Sequence, residues 1–255
     1  MDNNIIDIIK MNNIKISEIT VKLISKTIPE MDIKDMLLSS FPDKTKASLL
    51  DLLIVYSARQ STTANTKGED QDRKLIKYLM KNKHTSPFEC IDFSFLIEAP
   101  LFVIQHLLRH RTASINQFSA RYSEMEDKFY IANYDEKTNK TIPEEVKKIT
   151  IETYNKLYNL YKDMLSKGIS REIARNVLPV SIFSRLTFKM NLHNIFHFLE
   201  LRMDKHTQYE TRIVANQIYE IIKKEVPWSC QAWESLKSLE GSMHSDVIDF
   251  KLNKI

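Results

Sequence analysis

The sequence contains very little glycine. Its 255 residues include only three, which are Gly68, Gly168 and Gly241. A Rossmann dinucleotide-binding unit requires several glycines between a strand and a helix, and a P-loop requires them as well. Neither motif can be present, so any phosphate that this protein binds must be held by side chains and helix ends.

Cysteine and long apolar runs are also scarce. The two cysteines, Cys90 and Cys230, are too few for a disulfide framework and suit a reducing compartment. No apolar run approaches the roughly 20 residues of a membrane-spanning helix, and the N-terminus lacks the apolar segment of a signal peptide. The net charge of +4 is mild, whereas a dedicated nucleic-acid binder usually carries a clustered basic excess. We therefore expect a cytoplasmic protein that binds neither membranes nor nucleic acid.

Arginines and hydrogen-bonding side chains are concentrated between residues 109 and 122. This stretch contains Arg109, Arg111 and Arg121 among hydroxyl and amide side chains, and it has no glycine or proline. Guanidinium groups bind phosphates through paired hydrogen bonds, and amides and hydroxyls fix the orientation of a ligand. The stretch indicates a site for an anionic heterocyclic ligand, although a basic helix end on the surface would give the same pattern.

Apolar spacing, proline and helix-end residues predict the elements around this stretch. Pro100 predicts a helix whose last turn is residues 109–111, and alternation over residues 118–123 predicts a short extended segment. Residues 1–45 are predicted to form a variable helical extension, with one helix starting near Ser17. The other predicted elements are helices over residues 44–59, 69–82 and 144–167, a short helix from Ser170, two helices between residues 191 and 224, and strands over residues 91–97 and 180–190.

Four sequence blocks together resemble the flavin-dependent thymidylate synthases. The first is Arg109-His110-Arg111, followed after seven residues by Ser119, with Arg121-Tyr122 in place. The other three cover residues 72–89, 171–179 and 199–208, and all four occur in the order of the family. The resemblance extends over roughly residues 50 to 225. It implies an α+β fold, in which one helix-rich domain over residues 1–255 surrounds a small, mostly antiparallel sheet.

The resemblance also implies a reaction and its cofactors. Family members methylate dUMP reductively to dTMP, with 5,10-methylenetetrahydrofolate as carbon donor and NADPH-reduced FAD as hydride source. They are homotetramers in which the flavin sites are shared between subunits. No metal is implied.

Site residues follow from the matching positions of the motifs. The resemblance assigns Arg202 as the catalytic residue, where its guanidinium would stabilise negative charge on the uracil ring. The implied FAD-binding residues are Ser86, Arg109, His110, Arg111, Gln117, Asn191, Leu192, His193 and His197. The implied dUMP-binding residues are His106, Leu107, Leu108, Arg109, Gln117, Phe118, Ser119, Ala120, Arg121, Arg175 and Arg202.

Three positions depart from the pattern of the family. His106 occurs where glutamine is frequent, Gln117 where glutamate is common and His197 where asparagine is often found. The change at Gln117 removes one negative charge from the expected site. We expect these differences to alter individual contacts rather than the reaction.

The residues also allow three other interpretations. His193 and His197 are spaced one helical turn apart with His206 nearby, as in a zinc site, but neither a glutamate base at position 194 nor a cysteine pair accompanies them. A nucleic-acid binder could use five arginines, namely Arg109, Arg111, Arg121, Arg171 and Arg175. A flavoprotein reductase without the methylation step is the third alternative.

An enzyme thiolate is the remaining route to activating C5 of uracil. Cys90 has no adjacent cationic pair in sequence that would lower its pKa, so we expect it to be a packing residue rather than a nucleophile. Ser119 has no adjacent base either, and we assign it to substrate binding.

Overall fold

The computed structural model describes residues 15–39, 48–61 and 68–239. The fold is α+β and helix-rich, with a small antiparallel sheet. The chain divides into two compact units. Unit 1 contains residues 15–22, 96–188 and 205–214, and unit 2 contains the other described residues.

Eight strands and ten α-helices are found in the described residues. The strands are β1 (Lys15–Ile16), β2 (Thr20–Lys26), β3 (Asp92–Pro100), β4 (Ser114–Gln117), β5 (Lys128–Phe129), β6 (Tyr134–Asp135), β7 (Lys140–Thr141) and β8 (Phe183–Asn191). The helices are α1 (Met31–Ser39), α2 (Leu49–Arg59), α3 (Glu69–Lys81), α4 (Ser86–Glu89), α5 (Leu101–Leu107), α6 (Glu144–Ser166), α7 (Arg171–Ala174), α8 (Leu192–Arg202), α9 (Tyr209–Glu225) and α10 (Pro227–Leu239). A 3-10 turn, Arg175–Val177, directly follows α7.

The main sheet has four strands in the order β2-β3-β8-β4. Strand β3 alternates between half-buried and buried positions over most of its length, which is the period-2 pattern of a strand that covers a core. Two smaller ladders accompany the sheet. Strands β1 and β5 pair in parallel with Lys15 opposite Lys128, and β6 and β7 form an antiparallel hairpin.

The core of unit 1 lies beneath α6. Its buried side chains are Met125, Phe129, Ile131, Ile151, Tyr161, Ala174 and Ile182. Two tyrosines of α6 hold the chain at Met125, because the Tyr161 hydroxyl accepts a hydrogen bond from its N–H and the Tyr158 hydroxyl donates to its carbonyl, each at 3.0 Å. Gly168, with φ of 78°, directly follows Lys167 at the end of this helix.

In unit 2, helix α10 packs against α2 and α3. The buried carboxylate of Asp51 in α2 accepts hydrogen bonds from the N–H groups of Trp228 and Ser229 in the first turn of α10, at 2.8 and 3.1 Å. It also accepts one from the Ser229 hydroxyl at 2.7 Å. A buried ion pair between Arg59 and Asp72 joins α2 to α3. Polar contacts between buried side chains therefore fix how these helices pack.

Several predicted elements have different bounds in the structure. Ser17 does not start a helix, because the chain forms β1 and then β2, where Thr20, Val21 and Ile24 supply β-branched residues. The prediction of a helical extension over residues 1–45 is therefore wrong for residues 15–26, although α1 is helical. Residues 1–14 and 40–47 lie outside the described residues. Ser48 caps α2, which begins at Leu49, and residues 44–47 of the predicted helix lie outside the described residues.

The predicted last turn at residues 109–111 is also wrong. Helix α5 ends at Leu107, and Arg109 and Arg111 belong to the loop that follows it. The extended segment predicted over residues 118–123 is a turn region, and the strand lies earlier, at Ser114–Gln117. Helices α3, α6, α8 and α9 and strand β3 confirm the predictions for those regions. The assignment of residues 1–255 to a single domain stays a prediction.

Candidate active site

A cavity of about 230 Å³ lies in unit 1. Its lining residues come from the start of α5, from β4 and the loop after it, from the 3-10 turn, and from the segment that leads into β8 and the start of that strand. They are Leu101, Gln117, Phe118, Ala120, Met125, Arg175, Asn176, Leu178, Ile182 and Ser184. Small-molecule pockets typically begin at about 300 Å³, so this volume is near their lower end. Arg175 is the one charged residue in this lining, which suits an anionic ligand.

Local sequence places Arg175 at this cavity. Ser170 precedes α7, whose four residues end where the 3-10 turn begins at Arg175. The backbone of Leu178 is extended, and Pro179 follows. Proline disfavours a helical conformation in the residue before it, so the turn cannot continue as a helix. Arg175 therefore lies on a short, well-defined turn at the edge of the cavity.

The loop after β4 is fixed to strand β8. The N–H of Phe118 donates to the carbonyl of Arg185 at 2.8 Å. The guanidinium carbon of Arg185 lies 5.4 Å from the centre of the Phe118 ring, within the range of a cation–π contact. Arg185 is also 3.8 Å from the carboxylate of Glu126. These contacts hold Phe118 where its ring lines the cavity.

Unit 1 contains arginines with and without acidic partners. Arg121, Arg171 and Arg185 lie 3.4, 4.0 and 3.8 Å from glutamate carboxylates. In the described parts of the chain, by contrast, no carboxylate is within ion-pair distance of Arg109, Arg111 or Arg175. The residues without an acidic partner are the ones that could bind an anionic ligand without first breaking an ion pair.

The loop after α5 exposes two of these arginines. Its backbone is held by hydrogen bonds from the N–H of His110 to the carbonyl of Leu107 and from the N–H of Ala113 to the carbonyl of His110, both at 3.0 Å. His110 is buried, whereas Arg109 and Arg111 on either side of it are exposed. Because His110 is buried, it anchors the backbone that carries the two exposed, positively charged arginines.

His106 is oriented by a buried hydroxyl. Its Nδ1 lies 2.9 Å from the Oγ1 of Thr211, which is fully buried. This contact fixes the plane of the imidazole at the position where the sequence departs from the glutamine of the family.

The predicted dUMP residues of unit 1 divide into two groups. Gln117, Phe118, Ala120 and Arg175 line the cavity. The others lie outside that lining, and they are His106, Leu107, Leu108, Arg109, Ser119 and Arg121. Of these, Leu107 is fully buried, and Arg121 is paired with Glu172.

The predicted FAD residues of unit 2 lie on α4 and at the start of α8. Asn191 caps α8, because its Oδ1 accepts a hydrogen bond from the N–H of Asn194 at 2.9 Å. Leu192 is fully buried, and its N–H donates to the carbonyl of Ile91 at 2.7 Å. The side chain and the N–H of Leu192 are therefore both engaged within the protein. Ser86 begins α4, and His193 and His197 follow on α8.

Arg202 is the last residue of α8. Partial burial lowers the pKa of its guanidinium from the usual value. Arginine still remains protonated at neutral pH. A partly desolvated cation interacts more strongly with a developing negative charge than a fully hydrated one does.

The two cysteines differ in exposure, and neither they nor the histidines form a metal site in the described residues. Cys90 is exposed, so the expectation that it packs in the interior is wrong. Its Sγ lies 3.5 Å from the Ser86 carbonyl and from the Ser57 hydroxyl. Cys230 is buried, and burial strongly raises its pKa. Within residues 15–39, 48–61 and 68–239, no three His, Cys, Asp or Glu side chains are grouped so that they could hold a metal ion.

Sequence reasoning missed six lining residues of the cavity, which are Leu101, Met125, Asn176, Leu178, Ile182 and Ser184. Most are apolar, and no sequence pattern separates them from ordinary core residues. Ser184 did leave a signal, because it is a polar residue in a strand whose other inward positions are apolar.

None of the helices in the described regions is long and apolar enough to cross a membrane.

Comparison with known proteins identifies the family of this chain. Residues 38–228 match the model of the family described as thymidylate synthase complementing protein. A flavin-dependent thymidylate synthase from Dictyostelium discoideum is 36% identical, over 87% of this chain and 85% of that protein. One from Thermus thermophilus is 40% identical, over 76% of this chain and 75% of that protein.

A solved structure is similar as well. The crystal structure of the UMP/dUMP methylase PolB from Streptomyces cacaoi, bound with 5-Br dUMP, superimposes with a TM-score of 0.72. It is 31% identical and covers 87% of this chain and 97% of that one. The fold and the cavity define an α+β protein with a candidate ligand site whose lining contains one arginine. More narrowly, the chain belongs to the thymidylate synthase complementing protein family, the family of the flavin-dependent thymidylate synthases.

Proposed function

We propose that this protein catalyses the reductive methylation of dUMP to dTMP, with 5,10-methylenetetrahydrofolate as carbon donor and NADPH as reductant. The observation that carries the proposal is the cavity of unit 1, in which Arg175 and Gln117 converge. These two residues are 58 positions apart in the chain (175 minus 117) and belong to different motifs of the family. An arginine without an acidic partner beside an amide provides one group for a phosphate and another for orienting the nucleotide.

In this proposal the dUMP site is built around the cavity. Arg175 binds the phosphate, and Gln117 contacts the nucleotide. Phe118 to Arg121 supply backbone N–H groups for the phosphate. His106, Leu107, Leu108 and Arg109 approach the nucleotide from the preceding helix and loop, and Ser119 adds a hydroxyl.

The residues proposed for FAD fit a cofactor that carries a pyrophosphate. Arg109 and Arg111 are exposed cations that no described carboxylate neutralises, and the chain has no glycine-rich loop that could take their place. We propose that Arg109, His110, Arg111, Gln117 and Ser86 bind FAD together with Asn191, Leu192, His193 and His197. Once bound and reduced by NADPH, FAD would supply the hydride that reduces the methylene group. The protein supplies the anion-binding cations and the amide and imidazole groups that orient the rings.

Arg202 is the proposed catalytic residue. Its guanidinium is placed beside the uracil ring and stabilises negative charge on the ring amide at N3. That charge makes C5 a better carbon nucleophile, so the reaction proceeds without an enzyme thiolate. Cys230 supports this route, because its thiol is buried and burial strongly raises its pKa.

We further propose that the protein acts as a homotetramer in the cytoplasm. Its flavin sites are shared between subunits, so Arg202 and Arg109 of one site need not come from the same copy of the chain. The two cysteines are both unpaired, which is consistent with a reducing compartment.

The test is the NADPH-dependent release of the C5 hydrogen of dUMP into water, with FAD and methylenetetrahydrofolate present. Wild type is expected to release it. Arg202→Ala should lower kcat by about 100- to 1000-fold, the usual cost of removing a group that stabilises developing charge. Absence of release from flavin-loaded wild type would contradict the proposal and favour a reductase.

A second pair of variants tests the phosphate assignment. Arg175→Ala should raise the KM for dUMP by about 10- to 100-fold, because a charged hydrogen bond contributes about 1.5–3 kcal/mol. Arg171→Ala is the matched control, since Arg171 lies one turn earlier, interacts with Glu124 and does not line the cavity. Equal effects of the two substitutions would refute the role of Arg175.

A further inference from the structure

Strand β8 contains one polar residue in its row of inward-facing positions. Ser184, Leu186, Phe188 and Met190 alternate along the strand and are all buried, with exposed fractions of 5%, 1%, 1% and 2%. The last three are apolar and fill the interior. A serine in this row leaves a hydroxyl where a methyl or larger apolar group would pack better.

The Ser184 hydroxyl has no hydrogen-bond partner among the described residues. Burying a hydroxyl without a partner is unfavourable, and most buried polar groups in proteins are therefore paired. Ser184 lines the cavity that also contains Gln117 and Arg175. Its hydroxyl is thus available to whatever molecule occupies that cavity.

Ser181 provides an internal comparison. It is also buried, with 7% of its surface exposed, and its hydroxyl has no hydrogen-bond partner either. Ser181 does not line the cavity. The two serines are three positions apart and both hydroxyls lack a partner among the described residues, but only Ser184 lines the cavity, where a ligand could reach its hydroxyl.

We propose that Ser184 is a further substrate-binding residue, whose hydroxyl hydrogen-bonds to the nucleotide in the Arg175 cavity. The inference rests on the proposed function, because it takes dUMP as the molecule that occupies this cavity. The bond orients the nucleotide from β8, whereas Gln117 contacts it from the neighbouring strand β4 and Phe118 from the loop after β4. Ser184 takes no part in the chemistry at C5.

The proposal predicts that Ser184→Ala weakens substrate binding without lowering the stability of the free protein. Ser184→Ala removes an unsatisfied hydroxyl from the free protein, so its melting temperature without dUMP should stay the same or rise. Its KM for dUMP should rise about 3- to 10-fold, the effect of one neutral hydrogen bond, with kcat changed by less than 2-fold. A purely structural serine would change the melting temperature and leave KM unaltered.

The experiment compares flavin-loaded wild type with Ser184→Ala, Ser184→Thr and Ser181→Ala. Steady-state kinetics gives kcat and KM, and titration calorimetry gives the Kd for dUMP directly. Ser184→Thr keeps the hydroxyl and is expected to restore most of the affinity lost in Ser184→Ala. Ser181→Ala should bind dUMP as wild type does.

Two results would overturn the inference. One is an unchanged Kd for dUMP in Ser184→Ala, and the other is an equal loss in Ser181→Ala. Either result in an active wild-type enzyme refutes only the role of Ser184. A wild type that binds no dUMP refutes the proposed function itself.

Discussion

Replacing Asp51 with alanine should destabilise the protein strongly. The Asp51 carboxylate is fully buried and accepts three hydrogen bonds at the start of α10, from the N–H of Trp228, the N–H of Ser229 and the Ser229 hydroxyl. The first N–H groups of a helix have no partner within the helix, and a negative charge there also interacts favourably with the helix dipole. Without Asp51, these buried donors lose their acceptor.

The size of the effect follows from the hydrogen-bond donors that lose their acceptor. A buried donor left without a partner costs about 1–3 kcal/mol, and three donors lose the Asp51 carboxylate. Burial raises the pKa of Asp51 to about 6 despite these hydrogen bonds, so the charged carboxylate is held at a net cost at neutral pH, and removing it recovers part of the loss. We therefore expect Asp51→Ala to lower the free energy of unfolding by about 3–4 kcal/mol.

Thermal unfolding followed by circular dichroism measures the effect. For a protein of this size, 1 kcal/mol corresponds to about 2–4 °C, so the melting temperature should fall by roughly 10 °C. Asp163→Ala is the control, because Asp163 forms only an exposed ion pair with Lys167 at 2.7 Å. Such pairs contribute about 0–1 kcal/mol. A fall of less than 2 °C in Asp51→Ala would refute the reasoning about α10.

The pH dependence of Asp51 has a definite sign. Because its folded-state pKa of about 6 lies above the unfolded value of 3.8, the folded protein holds the proton more tightly. The stabilisation from this group is complete below about pH 4 and is lost as the pH rises through about 6. Asp51→Asn cannot titrate, so wild type should lose stability relative to this variant by up to about 3 kcal/mol between pH 4 and pH 7. A constant difference across that range would contradict the burial argument.

Two further predictions concern the neighbourhood of the site. Thr211→Val keeps the shape of a buried residue but removes the hydroxyl that lies 2.9 Å from Nδ1 of His106. We expect it to lower the free energy of unfolding by about 0.5–1.5 kcal/mol and to raise the KM for dUMP a few-fold. An unchanged KM would show that the orientation of His106 does not affect substrate binding. In the folded protein a thiol reagent should modify the exposed Cys90 and leave the buried Cys230 unreacted. The Cys90→Ser variant should still release the C5 hydrogen of dUMP. Loss of that activity would indicate that an enzyme thiolate takes part in the reaction.

Local signals in the sequence predicted those elements whose bounds depend on neighbouring residues. The apolar spacing of residues 69–82 predicted α3, whose bounds are Glu69–Lys81. Gly168 adopts a φ of 78°, which glycine tolerates best, and it marks the end of α6 as predicted. Strand β3 alternated clearly enough to be recognised. In these cases the physical cause lies within a few positions of the residue itself.

The failed predictions share a different cause. Residues 15 and 16 pair with residues 128 and 129, so the structure of this segment depends on a partner more than 100 positions away. Burial of His110 and the turn around it end α5 before the arginines, although a cationic last turn satisfies every local rule. Long-range pairing and burial thus overrode local helix signals.

The sequence by itself determined the family, the order of the motifs and the exclusion of glycine-rich nucleotide-binding loops. Only the tertiary structure decided which of the predicted residues share a cavity, because Gln117 and Arg175 meet through β4 and the 3-10 turn rather than through proximity in the chain. It also revealed Ser184 as a lining residue, and it placed the acceptor for the start of α10 on Asp51, 177 positions away from Trp228. Buried polar groups need partners, and the fold alone determines which distant residues can reach them.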